Sequence, residues 1–273
     1  EAADEEDRTT TCGGLTCKVT RTELPFSDGF LMRPSFLVLL LLLSQPTFAA
    51  DCVVLLHGLG RTSMSMNSLE RSLRDEGYIV VNDSYPSTEA DISTLSAIVG
   101  DGIAQCREAG AQNIHFVTHS LGGILVRKYF QDTAVPEAKR VVMLGPPNRG
   151  SEVATLHRDQ WWYKLITGPA GQELGVEPTS TPNRLGRIPL EIGVIAGTES
   201  LDPWFSPVIA GPDDGKVSVE RARLEEMTDF ITVPHSHTFM TEASEVYEQV
   251  SAFLATGKFK RASDAAGSRR SAP

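Results

Sequence analysis

From residue 52 onward, short apolar runs alternate with longer helix-like stretches, and this rhythm constrains the fold more than any other feature. The runs are Val53–Leu56, Tyr78–Asn82, Asn113–Thr118, Arg140–Leu144, Leu190–Ala196 and Phe230–Val233. Most are Val, Ile and Leu without polar alternation, the pattern of strands covered on both faces. Helices are predicted between them, over about 63–76, 92–109, 121–132, 218–227 and 242–255. The last carries Val246, Val250, Phe253 and Leu254 at i, i+4, i+7 and i+8, one apolar face. This alternation predicts an α/β domain over residues 51–257, with a mostly parallel central sheet of about six strands and helices on both faces.

One stretch breaks the rhythm. Residues 150–188 hold Trp161, Trp162, Tyr163, Leu165 and Ile166, then Gly168-Pro169 and a Pro/Thr-rich run at 178–183. A connection this long is usually functional or disordered. Two readings stay open: a lid or cap over a site, or an extra helix packed on the sheet edge. Aromatic side chains serve both.

The ends carry other signals. Residues 1–31 are polar and show no sustained period. Met32-Arg33-Pro34-Ser35 then leads into the apolar run Phe36–Leu43 and out through Ser44-Gln45-Pro46-Thr47-Phe48-Ala49-Ala50. A basic start, a short apolar run and a small-residue exit describe a secretory signal peptide over 32–50. The run is too short for a spanning helix, which needs about 20 residues. Cleavage after Ala49 puts Thr47 and Ala49 at the small-residue positions. On this reading translation starts at Met32, residues 1–31 are a non-native upstream extension, and the protein is secreted or periplasmic. An uncleaved signal acting as a membrane anchor is the alternative. The tail 258–273 holds five bases and one acid among Ala, Ser and Gly, and is expected to be disordered.

The chain holds 35 acids against 25 bases, a net charge of −10, and residues from 51 onward hold 28 against 21. That balance has the wrong sign for nucleic-acid binding. Cys52 and Cys106 alone fall in the predicted domain. A disulfide and a pair of buried thiols are equally open, because geometry decides between them. Neither a P-loop nor a Gly-x-Gly-x-x-Gly after a strand occurs, so no cofactor is implied.

Chemistry is carried by Ile114-His115-Phe116-Val117-Thr118-His119-Ser120-Leu121-Gly122-Gly123. A strand runs into Ser120 and a helix leaves it, the context of a nucleophile elbow. Such a turn lifts the hydroxyl clear of the sheet and aims the Leu121 N–H at a developing oxyanion. The usual pattern is Gly-x-Ser-x-Gly, and here Thr118 replaces the first glycine. Upstream, Val53–Leu56 ends in His57-Gly58-Leu59-Gly60, where Leu59 is the natural second oxyanion donor and His57 shapes the loop. Gly145-Pro146-Pro147-Asn148-Arg149-Gly150-Ser151 follows a strand at the carboxyl edge, either lining a site or making a tight turn.

Over about residues 52–256 these motifs resemble the α/β-hydrolase superfamily, in its serine lipase and esterase type, and small bacterial lipases in particular. The resemblance implies a chain order of nucleophile, acid and histidine. The acid is sought after Leu190–Ala196, in Gly211-Pro212-Asp213-Asp214-Gly215-Lys216-Val217. In similar lipases the acid directly precedes a Gly-x-Val-type segment, which favours Asp214 over Asp213, with Asp202 remote. The histidine is sought in Pro234-His235-Ser236-His237-Thr238-Phe239-Met240, where His237 is nearer the final helix than His235. His119 is expected to point away from these groups. His235 and His237 lack a third metal ligand nearby, so zinc is not expected.

The implied function is a carboxylic-ester hydrolase, working through an acyl-enzyme on apolar acyl esters of lipid type, with peripheral membrane contact. An acyltransferase on the same three residues and a non-catalytic envelope binding protein of the same fold are the alternatives.

Overall fold

The computed structural model describes residues 50–261. The extension, the signal segment up to Ala49 and the tail beyond Arg261 lie outside the described residues. Among those described, six strands form one sheet: β1 (Cys52–Leu56), β2 (Ile79–Val81), β3 (Ile114–His119), β4 (Ala138–Leu144), β5 (Glu191–Gly197) and β6 (Asp229–Val233). Every pairing is parallel and the spatial order is β2-β1-β3-β4-β5-β6. Each predicted strand is present.

Helices cover both faces, as unbroken apolar strands require. Val54, Leu56 and Phe116 point to one face and pack with α2 (Ile92–Leu95), α3 (Ala97–Glu108) and α4 (Leu121–Asp132). Their neighbours Val53, Leu55 and Val117 point to the other, against Leu69 and Leu73 of α1 (Asn67–Asp75) and the predicted apolar face of α9 (Ser244–Thr256). Val246, Val250, Phe253 and Leu254 are all buried there. Burying one such side chain fully stabilises by roughly 1.5–3 kcal/mol.

Two helices differ from expectation. The stretch 92–109 is two helices meeting at Ser96, whose hydroxyl donates to the Ser93 carbonyl at 2.7 Å, a local bond that competes with the helical ladder. Of 218–227 only α8 (Val219–Ala222) is helical. Arg223 turns extended, and the Ala222 carbonyl accepts from Asn148 Nδ2 at 2.8 Å rather than from a following helical N–H.

Residues 150–188 form α5 (Glu152–His157), α6 (Trp161–Gln172, kinked at Gly168-Pro169) and α7 (Thr181–Arg184). Cys52 and Cys106 are joined as a disulfide that ties α3 to β1. Closing a loop between residues 54 apart stabilises by about 4 kcal/mol in the chain-entropy model.

Candidate active site

The chain runs from β1 outward to β2 and then returns to the other side of β1 with β3. The connections therefore diverge at the carboxyl ends of β1 and β3. Open parallel sheets bind ligands in that crevice. The His57-Gly58-Leu59 loop leaves β1 there, and Ser120 follows β3 directly.

Ser120 is the one non-glycine residue with positive φ among the described residues, at φ 52° and ψ −117°. Such a conformation costs of order 1–3 kcal/mol and persists only where its surroundings impose it. Here β3 and α4 impose it, with no residue between them but Ser120. The helix starts close under β1. A Cβ on Gly122 would lie 2.6 Å from the Leu56 carbonyl oxygen, so only glycine fits. Thr118, the departure from the usual pattern, is a fully buried strand residue paired with Leu56 and Met143. Its hydroxyl lies 3.5 Å from the Val142 carbonyl oxygen, within the strand layer.

The acid and base candidates meet. His237 Nδ1 lies 2.7 Å from Asp214 Oδ2, and the His237 N–H donates to the Asp214 carbonyl at 2.8 Å. Asp214 Oδ1 accepts from the Lys216 and Val217 N–H groups at 3.0 and 2.8 Å, so both carboxylate oxygens are held. The carboxylate is 1% exposed. Gly145, at φ +54°, lies beneath this pair: a Cβ there would come 2.9 Å from Asp214 Oδ2 and 3.0 Å from His237 Nδ1. The rival candidates are engaged elsewhere. Asp213 accepts from Ser206 Oγ and the Gly215 N–H, each at 2.7 Å. Asp202 pairs with Lys216 at 2.7 Å, and His235 faces Glu245 at 2.9 Å. Among the described residues no group of three His, Cys, Asp or Glu side chains is arranged to hold a metal.

Two buried histidines shape this crevice. The Tyr85 N–H donates to His57 Nε2 at 3.2 Å, which leaves the proton on Nδ1, 2.9 Å from the Gly58 carbonyl oxygen. The His57 ring stacks on Tyr85 at 4.1 Å, and the Tyr85 hydroxyl donates to the His57 carbonyl at 2.6 Å. The loop after β1 is therefore held from two sides. His119 departs from expectation. It turns toward His237, its Nε2 donating to the His237 carbonyl at 2.9 Å and its ring 4.7 Å from that of His237. It thereby ties the turn at Ser120 to the loop that carries His237.

Burial lowers the pKa of His57, His115 and His119, the last well below the ordinary value. The folded rings stay neutral where the unfolded chain takes up protons. The stability they hold above about pH 6.5 is thus lost as pH falls below it, by up to about 1.4 kcal/mol per pH unit for each ring. The urea midpoint is expected to be lower at pH 5.5 than at pH 7.5. A midpoint that stays level or rises would contradict this account.

Ser120 and His237 line one cavity of about 330 Å³, a size typical of small-molecule sites. Leu59 and Pro147 also line it, while Val153 and Ala154 of α5 and Trp162, Tyr163 and Ile166 of α6 form an apolar wall. The 145–151 loop thus both lines the site, through Pro147 and Ser151, and makes tight turns through Asn148 N to Pro146 O and Gly150 N to Pro147 O. Sequence reasoning missed what holds it. Arg127 of α4 is buried and donates to the carbonyls of Asn148, Pro182 and Leu185 at 2.9–3.1 Å. Burial pulls its pKa down to about 10, only partly opposed by the negative charge of Glu226.

No family model and no curated protein matches the chain. Solved structures do. The chain is similar to Bacillus licheniformis lipase BlEst2 in mature form, at TM-score 0.62 and 20% identity over 78% of this chain and 94% of that one. It is similar to the esterase EaEST from Exiguobacterium antarcticum at TM-score 0.53 and 14% identity, over 76% and 93%. Phospholipase PlaB from Legionella pneumophila gives TM-score 0.53 and 17% identity over 76% of this chain, which spans 58% of that protein. With the six-stranded parallel sheet, these likenesses show an α/β-hydrolase fold.

Proposed function

We propose that the chain is a serine carboxylic-ester hydrolase acting through an acyl-enzyme. The observation that carries this reading is Ser120, held at positive φ between β3 and α4, in the same cavity as the His237–Asp214 pair. A serine hydroxyl is a weak nucleophile without a neighbouring base. Asp214 on Nδ1 keeps that proton in place and leaves Nε2 free to accept one. In the proposed reaction Ser120 Oγ attacks the ester carbonyl as His237 takes its proton. The Leu59 and Leu121 N–H groups receive the oxyanion. Leu121 opens α4, so its N–H has no helical acceptor. Collapse breaks the bond to the alcohol, which leaves with the proton from His237. Water then repeats the sequence on the acyl-enzyme, releases the acid and restores Ser120.

The apolar wall on α5 and α6 suits an acyl chain. The outer side of α6 exposes Trp161 and Leu165, each 76% exposed, and Trp204 projects from the loop after β5. This apolar rim fits peripheral contact with a membrane, and makes α5 and α6 the proposed lid or cap. The Cys52–Cys106 disulfide favours an oxidising compartment, in line with a cleaved signal before Ala50 and a secreted or periplasmic protein. The names of the similar structures, a lipase, an esterase and a phospholipase, point to ester substrates.

The test is hydrolysis of p-nitrophenyl esters from acetate to palmitate, with fluorophosphonate labelling mapped by mass spectrometry. Turnover together with a label on Ser120 is expected, and the chain-length optimum separates esterase from lipase. No turnover at any length and no label would overturn the reading in favour of a binding protein.

A further inference from the structure

The cavity holds a cation that ester hydrolysis does not require. Arg61 lies two residues past Leu59, where its N–H donates to the Gly58 carbonyl at 3.2 Å, and the turn sets Arg61 on the wall shared with Ser120 and His237. It is half-buried. The other described arginines that are not fully exposed all have acceptors. Arg140, Arg149, Arg158, Arg221 and Arg223 face carboxylates, and Arg127 faces carbonyls. The Arg61 guanidinium has neither kind of partner among the described residues.

The rest of the cavity sharpens this. Lys216, the second cation on the wall, is neutralised by Asp202 at 2.7 Å and sits 3.8 Å from the Phe205 ring centroid. No Asp or Glu lines the cavity, although the chain carries a net charge of −10. A neutral fatty ester offers the Arg61 fork nothing. A partly desolvated guanidinium favours an oxyanion, and phosphate in particular, through paired charge-assisted hydrogen bonds. Arg61 belongs to the loop after β1, whereas the apolar wall comes from α5 and α6, so the charge and the acyl-lining surface enter the cavity from different elements.

We propose that Arg61 is a specificity residue that anchors a phosphate carried by the alcohol half of the ester, so that the preferred substrates are amphiphiles with an apolar acyl chain beside a phosphate. This rests on the hydrolase reading above.

The experiment compares kcat/KM for dihexanoyl phosphatidylglycerol and dihexanoylglycerol, both kept monomeric, using the full chain and its Arg61→Gln and Arg61→Lys variants. Ser120 is checked by fluorophosphonate labelling. The wild-type chain is expected to favour the phospholipid by about tenfold or more, and rising salt to shrink that preference. Arg61→Gln is expected to lose about 10–100-fold on the phospholipid, the range of charge-assisted hydrogen bonds, and to stay within about twofold on the neutral ester. Arg61→Lys falls between, having charge without the fork. Activity on the neutral ester reports that the variants are folded. A wild-type chain that labels at Ser120 but shows no preference overturns the role of Arg61, as does an equal loss on both substrates. No hydrolysis and no labelling overturns the hydrolase reading, and this inference with it.

Discussion

Exchange of Ser120 for alanine is expected to lower kcat for p-nitrophenyl esters by about 10⁴–10⁶-fold, the range found when one member of such a unit is removed. The unfolding midpoint should shift by no more than a few degrees. Both residues carry a Cβ and meet the same strain at φ 52°, so the folded state gains or loses little. The contrasting variant is Ser151→Ala. Ser151 also lines the cavity, but its hydroxyl donates to the Lys216 carbonyl at 2.7 Å and caps α5. It has no free proton to give up. Losing it should cost stability of about 1 kcal/mol, as for other helix caps, and less than tenfold in rate. Steady-state kinetics and thermal melts on both variants decide the matter. Retained activity in Ser120→Ala, or a collapse confined to Ser151→Ala, would move the nucleophile.

The parts of this molecule legible in its sequence are those encoded by local pattern. β1, β3, β4 and β5 lie inside the sheet between two strands each, so their runs carry Val, Ile and Leu on both faces and read unambiguously. The turn at Ser120 is equally local, since it is set by a strand, one residue and a helix that needs Gly122 against Leu56. Asp214 and His237 could be ranked above Asp213 and His235 from their positions relative to neighbouring elements. The structure places that carboxylate and that ring 2.7 Å apart. A pair in the sequence does not say which member turns inward, and that is decided by backbone bonds such as His237 N–H to Asp214 O.

What was not legible depends on residues far apart in the chain. His119 reaches the His237 carbonyl across 118 positions, and no periodicity encodes such a contact. Arg127 looks like one more polar residue on a helix, yet it is buried where the Asn148 carbonyl and the Pro182 and Leu185 carbonyls of α7 and its C-terminal end converge on it. The helices of 150–188 were hidden for another reason. Their apolar residues face two ways, Trp162, Tyr163 and Ile166 to the cavity and Trp161 and Leu165 outward, and Gly168-Pro169 interrupts the period, so no clean amphipathic stripe exists to be found. Arg61 reads as an ordinary loop residue, and only the absence of an acid around it marks it.

The second large effect belongs to the base. His237→Ala is expected to lower kcat by about 10⁴–10⁶-fold, while His235→Ala, two residues away, should change it by less than about threefold. The two rings differ in partner rather than in kind. His235 faces Glu245 at the start of α9, whose side chain is 52% exposed. His237 faces a carboxylate that is itself fixed by two backbone N–H groups, so the ring has one orientation and one tautomer. Asp214→Asn separates orientation from charge. The amide keeps the shape of the carboxylate, but its NH₂ turned toward Nδ1 would leave the ring proton on Nε2, where it blocks proton uptake from Ser120. A loss of about 10⁴-fold is expected from that wrong tautomer, as in the Asp→Asn variant of a serine protease. It should appear in kcat with KM little changed, because substrate binding does not use that proton. If Asp214→Asn kept most activity while Asp213→Asn lost it, or if His235→Ala proved the worse of the two histidine variants, the acid and base roles would pass to those neighbours. The contact between His237 and Asp214 would then be only structural.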